Sequence, residues 1–190
     1  MSKKIAFAMC GSFCTFDKVL TQAEHLVSSG MQLVPVMSTA AANTDTRFGS
    51  CAAFKARLAR LSGASIITSI VDAEPMGPQK MAQALLIAPC TGNTLGKLAA
   101  GITDTPVTMA AKSMLRTGRP VIIALSTNDG LAAALQNIGR LMNTKHIYFV
   151  PFGQDDPLHK PTSLQADFSL MESAVESALN GRQMQPVLLD

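Results

Sequence analysis

Short apolar runs alternate along the chain with segments in which apolar residues recur at helical spacing. Apolar runs bounded by glycine, proline or small polar residues are typical of buried strands. Helical spacing is clearest at Phe54, Leu58 and Leu61, where basic residues occupy positions in between. The pattern predicts six strands, at residues 4–10, 31–37, 65–71, 85–88, 120–125 and 146–150.

Strands that alternate with helices favour an α/β fold, since a helix that crosses the sheet returns the chain to a parallel neighbouring strand. We therefore predict a three-layer Rossmann-like (flavodoxin-like) sandwich with a six-stranded parallel sheet. The chain contains no evident internal repeat, linker or low-complexity segment, which predicts one domain over residues 1–190. The main helices are predicted over residues 15–28, 54–61, 95–99, 106–115, 131–142 and 168–179.

Composition and charge narrow the classes of function. The chain is 47% hydrophobic and 15% charged, a balance that suits a compact fold with an additional buried subunit interface. A net charge of only +3, without a run of Lys or Arg, argues against a nucleic-acid partner. The apolar run after Lys3 and Lys4 is too short for a signal sequence or a membrane span, which predicts a soluble cytoplasmic protein without a membrane partner.

The cysteines give no sign of a metal site. Cys10, Cys14, Cys51 and Cys90 lack the spacing of paired metal ligands and of a redox-active CxxC motif. We predict free, largely buried thiols in a reducing compartment and no bound metal.

Small polar residues follow the predicted strands at four places: Gly11 with Ser12, Ser38 with Thr39, residues 90–94 and residues 126–128. The carboxyl ends of parallel strands meet at one edge of the sheet, which is where ligands bind in open α/β folds. Four such segments at one edge predict a ligand site there. The first turn lacks the GxGxxG of a dinucleotide site, so a mononucleotide phosphate or a flavin fits it better than a dinucleotide, with a plain strand–helix turn as the alternative.

Residues 85–105 carry the most specific pattern. A buried run ends at Pro89, small polar residues follow over 90–94, and a short helical pattern closes at Gly101. A helix that starts after small polar residues presents free N–H groups and a positive dipole end, which suits an anion such as phosphate. An ordinary strand–turn–helix unit with Asn93 as the helix cap is the alternative interpretation.

The segments 88–94, 96–99 and 101–104 resemble the signature of the flavoprotein family that includes the peptidyl-cysteine and phosphopantothenoylcysteine decarboxylases. The resemblance implies FMN as the cofactor and homo-oligomers, trimers or dodecamers, with FMN at the boundaries between protomers. By the same resemblance, the cofactor-binding residues would be Gly11, Ser12, Phe13, Ser38, Thr39, Pro89, Cys90, Thr91, Asn93, Thr94 and Asn128.

The sequence departs from the decarboxylases at two places. No histidine lies between His25 and His146, where those enzymes carry a catalytic histidine, and their substrate-recognition segment is replaced over residues 124–131. Four segments instead resemble the branch of the family that belongs to dipicolinate synthases, namely residues 73–78, 87–94, 126–130 and 150–157.

That branch implies a subunit of an oxidoreductase. It would oxidise a dihydrodipicolinate precursor, a small dicarboxylate, to dipicolinate in the mother cell of a sporulating bacterium. It also implies a partner, the A subunit of dipicolinate synthase, whose Rossmann domain would bring NADP. Two alternatives remain: an independent FMN-dependent decarboxylase or flavin prenyltransferase, and a non-catalytic subunit that binds an anion or the substrate.

Candidates for catalysis are few. Glu74, in a proline-bounded loop, is a candidate base, with loop anchoring as the alternative, and Asn128 is a candidate for substrate recognition. Lys97 offers positive charge near the central motif or is simply a solvated lysine, and Cys90 is a nucleophile only if a cation lowers its pKa. Residues 154–156 either cover the site, bind a partner or form a solvated turn.

Overall fold

Five parallel strands form the centre of the sheet in the computed structural model, which describes residues 3–189. They are β1 Lys4–Met9, β2 Gln32–Met37, β3 Ala84–Cys90, β4 Val121–Thr127 and β5 Ile147–Phe149. Their order is β2-β1-β3-β4-β5, with Phe7 of β1 between Pro35 and Leu86 of its neighbours. All seven residues of β3 are buried, as expected for the apolar centre of a sheet covered on both faces.

A short antiparallel hairpin extends the sheet at the carboxyl end of β4. Its strands are β6 Phe152–Gly153 and β7 Leu164–Ala166. Strand β7 pairs with the last residues of β4, Ser126 opposite Gln165 and Thr127 opposite Leu164. The hairpin and its loop, residues 154–163, therefore stand beside the edge at which the sequence predicts a ligand site.

Eight α-helices are described within residues 3–189: α1 Phe16–Ser28, α2 Thr39–Asn43, α3 Cys51–Ser62, α4 Ile70–Ala73, α5 Gly92–Ala100, α6 Pro106–Leu115, α7 Leu135–Met142 and α8 Met171–Leu179. Helix α5 contacts α6 and α7, whereas α1 contacts α3. The right-handed crossovers expected between parallel neighbours place α1 on one face of the sheet and α5, α6 and α7 on the other. Local sequence fixes the helix starts. At α6, Thr105 and Thr108 form a reciprocal capping box and Pro106 is the first helical residue.

The predicted fold class is confirmed, but the sheet is not six parallel strands. Of the predicted third strand, residues 65–71, only Ile67 pairs with β2, through a single bridge to Val36. The run ends there because Ser69 caps α4, its hydroxyl accepting a hydrogen bond from the backbone N–H of Asp72 at 3.0 Å. The two hairpin strands, in contrast, have no counterpart among the predicted strands.

Within residues 3–189, no helix is long and apolar enough to cross a membrane. The described cysteines are all free thiols, of which Cys10 and Cys90 are buried and Cys14 is exposed.

The loop between α4 and β3 packs directly on α6 through Gly77. The Gly77 N–H donates to the Ser113 hydroxyl at 2.9 Å, and the Arg119 guanidinium donates to the Gly77 carbonyl at 2.6 Å. A Cβ on Gly77 would lie 2.0 Å from the Ser113 carbonyl oxygen, which is backbone and cannot move aside easily. This contact accounts for the glycine within residues 73–78.

We expect Gly77→Ala to lower the free energy of unfolding by about 2 kcal/mol or more, because the methyl group would push the loop away from α6. Urea unfolding followed by circular dichroism measures this change. Gly139→Ala, in α7, is the matched control, since its added Cβ meets nothing within 4 Å and should stabilise the helix by about 0.5–1 kcal/mol. Equal effects of the two substitutions would contradict the packing described here.

Candidate functional site

A cavity of about 520 Å³ opens at the carboxyl ends of β1, β3 and β4. Its lining comes from the turn after β1, from the start of α5, from the end of β4 and from the β6–β7 hairpin. The lining residues are Gly11, Ser12, Phe13, Cys14, Thr15, Lys18, Phe48, Thr91, Gly92, Ser126, Thr127, Asn128, Asp155, Lys160, Ser163, Leu164 and Gln165.

The structure brings five of the predicted site residues to this cavity: Gly11, Ser12, Phe13, Thr91 and Asn128. The hydroxyl groups of Ser12 and Ser126 are 2.8 Å apart, so a hydrogen bond joins the turn after β1 to the end of β4. The strand ends are therefore held together by polar contacts as well as by the sheet.

The start of α5 presses against the loop that follows β4. A Cβ on Gly92 would lie 2.6 Å from the Thr127 hydroxyl oxygen and 2.7 Å from an Asp129 carboxylate oxygen. The Thr127 hydroxyl in turn donates to the Asp129 carboxylate. Any side chain at position 92 would disturb this contact, which gives the glycine of the central motif a structural role.

Thr91, not Asn93, caps α5. The Thr91 hydroxyl accepts a hydrogen bond from the Thr94 N–H at 3.2 Å, so the alternative interpretation puts the cap two residues too late. As the first helical residues, Gly92 and Asn93 have no intrahelical acceptor for their N–H groups. The exposed Asn93 lies in the first turn of α5, next to the cavity residues Thr91 and Gly92.

Pro89, Cys90 and Thr94 lie beneath the cavity and do not line it. Cys90 has no exposed surface, and the Thr94 hydroxyl donates to the Cys10 sulfur at 3.2 Å. Burial raises the pKa of the Cys10 thiol to about 11, although hydrogen bonds with Thr94 and Thr91 lower it in part. Burial, and secondarily the nearby Cys10, raises the pKa of Cys90 well above its usual value. Both thiols are protonated at neutral pH, which removes the basis for Cys90 as a nucleophile.

Ser38 and Thr39 lie at the end of β2, beside the cavity. The buried Ser38 caps α2, its hydroxyl accepting from the Ala41 N–H at 3.2 Å, and its own N–H donates to the Met9 carbonyl. A Cβ on Gly11 would lie 3.8 Å from the Ala40 side chain, so the start of α2 is in reach of the turn after β1. The free N–H groups at the start of α2 therefore lie near that turn.

Glu74 does not line this cavity. Its carboxylate accepts a hydrogen bond from the Arg116 guanidinium at 2.5 Å, and its carbonyl accepts one from the Ser113 hydroxyl. Arg116 precedes the amino end of β4, whereas Asn128 follows its carboxyl end, and the strand between them spans about 20 Å. The contacts of Glu74 are those of a residue that anchors a loop.

Lys97 also has a partner outside the cavity. Its ammonium group lies 2.8 and 2.9 Å from the two carboxylate oxygens of Asp104, just beyond the end of α5. The predicted positive charge of the central motif is thus neutralised within that motif.

Several lining residues had no signal in the sequence: Lys18, Phe48, Lys160, Ser163 and Gln165. The last three reach the cavity because β7 pairs with β4, for example Gln165 with Ser126, although the two strands are far apart in the sequence. No local pattern in the sequence predicts such a pairing. Of the predicted segment 154–156, Asp155 does line the cavity.

Asp155 is the carboxylate of the cavity wall. Its side chain is 22% exposed and lies 3.3 Å from the Lys160 ammonium group. Burial raises the pKa of Asp155, but hydrogen bonds with Ser163 and Lys160 outweigh burial, so the pKa lies below its usual value. Asp155 is therefore an anion at neutral pH. No group of His, Cys, Asp and Glu side chains in the described part of the chain is arranged to hold a metal ion.

Comparisons with known proteins identify relatives over the whole chain. Residues 1–170 match the family model described as Flavoprotein. The B subunit of dipicolinate synthase from Bacillus subtilis (strain 168) is 45% identical over 188 residues, 99% of this chain and 94% of the relative. The crystal structure of the dipicolinate synthase B subunit from Bacillus halodurans C covers 100% of this chain and 99% of its own, with 43% identity and a TM-score of 0.91.

The chain therefore belongs to the flavoprotein family, and the predicted resemblance to its dipicolinate synthase branch is confirmed. The FMN-dependent cysteine decarboxylase SpaF is a more distant structural neighbour, with a TM-score of 0.66, 23% identity and coverage of 94% of this chain and 95% of its own. At that identity it shows a shared fold.

The burial of Cys10 and Cys90 predicts selective alkylation of the native protein. Because only thiolates react, and these two thiols are both buried and raised in pKa, we expect iodoacetamide at pH 8 to label the exposed Cys14 first and to leave Cys10 and Cys90 unlabelled. Mass spectrometry of tryptic peptides measures the labelling, and protein unfolded in urea is the control in which both react. Rapid native labelling of Cys90 would restore it as a reactive residue.

Proposed function

We propose that this chain is the B subunit of a dipicolinate synthase, which oxidises a dihydrodipicolinate precursor to dipicolinate. The observation that carries the proposal is the similarity to dipicolinate synthase B subunits over the whole chain, together with a cavity built from the segments that carry the resemblance. The chain would act with an NADP-binding A subunit in the cytoplasm of a sporulating mother cell.

FMN is the cofactor that the family implies, and the donor set of the cavity fits its phosphate and ribityl chain. The Ser12 hydroxyl and the N–H groups at the starts of the helices after β1 and β3 suit a phosphate. Phe13 and Phe48 contribute aromatic surface to the same cavity, as a flavin ring requires. The single hydride that leaves the dihydropyridine ring would pass to FMN bound there or to NADP on the A subunit.

The residues of this chain would position the substrate and shield it from water. Asn128 is exposed at the cavity. Its main-chain carbonyl oxygen accepts a hydrogen bond from the Thr162 hydroxyl at 2.7 Å, which fixes the backbone at this residue. Its amide is thus free to orient a substrate. Asp155, an anion with a lowered pKa, is a poor proton acceptor at neutral pH, so the ring proton would pass to water or to a group of the A subunit.

A second candidate function is a binding subunit without catalysis of its own. The buried, protonated Cys10 and Cys90 and the ion-paired Glu74 support it, because none of the three offers an acid or base at the cavity. An independent decarboxylase is less well supported, since the sequence lacks the histidine of those enzymes. Homo-oligomers with the cofactor between protomers also remain part of the proposal, in line with the low charged fraction.

FMN binding is the first test. We expect the purified chain to bind FMN saturably in calorimetric and absorbance titrations, and Ser12→Ala to weaken binding about tenfold or more by removing a hydroxyl donor to the phosphate. Asn93→Ala tests the start of α5 in the same way. Ser28→Ala, at the exposed end of α1, is the matched control and should bind as the wild type does. If the wild-type chain does not bind FMN, the cofactor role of the cavity is contradicted and the cavity would bind only the substrate.

Reconstitution tests the catalytic role. With the A subunit, NADP and the dihydrodipicolinate precursor, we expect the wild-type chain to support formation of dipicolinate, followed by its ultraviolet absorbance, and Asn128→Ala to reduce the rate about tenfold or more through loss of a positioning hydrogen bond. Asn180→Ala, at the end of α8, is the control. Full activity of the A subunit without this chain would contradict the proposal, and equal rates with wild type and Asn128→Ala would remove Asn128 from it.

A further inference from the structure

The loop of the β6–β7 hairpin, residues 154–163, forms the cavity wall on the β4 side. The loop reaches this position because β7 continues the sheet beyond β4. The turn that contains Ser12 follows β1 and lines the cavity on the β1 side. Two cations among the described residues line the cavity, Lys18 on α1 and Lys160 on this loop. The two cations therefore stand on different walls and can face different anions.

Hydrogen bonds fix the loop to the end of β4. The Leu131 N–H donates to the Thr162 carbonyl at 2.9 Å, the Thr162 hydroxyl donates to the Asn128 carbonyl, and the Ser163 hydroxyl donates to the Thr127 carbonyl at 3.3 Å. Within the loop, the Gln154 amide donates to the Pro161 carbonyl at 2.8 Å. Lys160 is thus carried by a loop that is already in place before a ligand arrives.

Asp155 sets the direction of the Lys160 side chain. The ammonium group lies 3.3 Å from the Asp155 carboxylate, and the Lys160 side chain remains 52% exposed. An ammonium group has three N–H donors, so the contact with Asp155 leaves donors for an incoming anion. Ser163, three residues after Lys160, is buried against the end of β4, where its hydroxyl donates to the Thr127 carbonyl.

We propose that Lys160, positioned by Asp155, binds one carboxylate of the pyridine dicarboxylate. This inference rests on the proposed function. Under this proposal the cavity has two anion sites on different walls. The helix start beside Ser12 and Lys18 would bind the cofactor phosphate, and the hairpin would bind a substrate carboxylate next to Asn128. A dicarboxylate ring needs such a point charge to distinguish it from a monocarboxylate, since the two rings are otherwise alike.

Calorimetric titration of the full chain with dipicolinate (pyridine-2,6-dicarboxylate) and with picolinate (pyridine-2-carboxylate), with and without excess FMN, tests the assignment. We expect the wild type to prefer dipicolinate about tenfold or more, and Lys160→Gln to bind the two ligands with similar affinity. Lys160→Arg should keep most of the preference. Asp155→Asn should weaken dipicolinate binding several-fold, because the ammonium group loses its direction.

Lys145→Gln is the matched control, an exposed lysine just before the amino end of β5, at the opposite edge of the sheet. It should bind both ligands as the wild type does, and unchanged FMN affinity and melting temperature in Lys160→Gln would show that the site is otherwise intact. A preference retained in Lys160→Gln, or lost instead in Lys18→Gln, would overturn the assignment while leaving the proposed function in place. A wild-type chain that binds neither pyridine carboxylate would overturn both.

Discussion

The site depends on the close contact between the first residue of α5 and the loop after β4. Gly92 lies so near the Thr127 hydroxyl and the Asp129 carboxylate that a Cβ there would displace these side chains, and the Ser12–Ser126 hydrogen bond joins the turn after β1 to the same region. Beneath them, Thr94 joins α5 to Cys10 at the end of β1. Three strand ends are thereby fixed relative to one another, and the free N–H groups of the helix starts converge on one cavity because of it.

Much of this arrangement can be predicted from local patterns in the sequence. Apolar runs and caps define the parallel strands and most helices, and small polar residues at the strand ends predict the edge at which the cavity lies. The predicted strand at residues 65–71 is wrong because an apolar run beside a serine cap can form either a strand or a short helix. Here the Ser69 cap starts the helix α4. The hairpin could not be predicted from the local sequence, because β6 and β7 are too short to show an alternation of apolar and polar residues. Both strands are defined by their pairing with each other and with β4.

The same distinction separates the predicted site residues. Gly11, Ser12, Phe13, Thr91 and Asn128 follow strands directly and reach the cavity, as the geometry of a parallel sheet requires. Glu74 is a candidate only by its chemical type and its rigid loop, and neither property says at which edge of the sheet a loop lies. Its partners Arg116 and Ser113 place it at the amino end of β4. Residue type alone is thus a weaker guide than position relative to a strand end.

The distribution of charge around the cavity is consistent with the proposed function, in which a second subunit takes part in the chemistry. Cys10 and Cys90 are protonated and buried, the Asp155 carboxylate is paired with Lys160, and Lys97 is neutralised by Asp104. Apart from the Cys14 thiol, the remaining polar groups that line the cavity are donors, namely hydroxyl, amide and ammonium groups and helix N–H groups. A site made of donors holds anions in place and does not accept protons. An oxidation that releases both a hydride and a proton would therefore need a further group, and the partner subunit is where the proposed function places it.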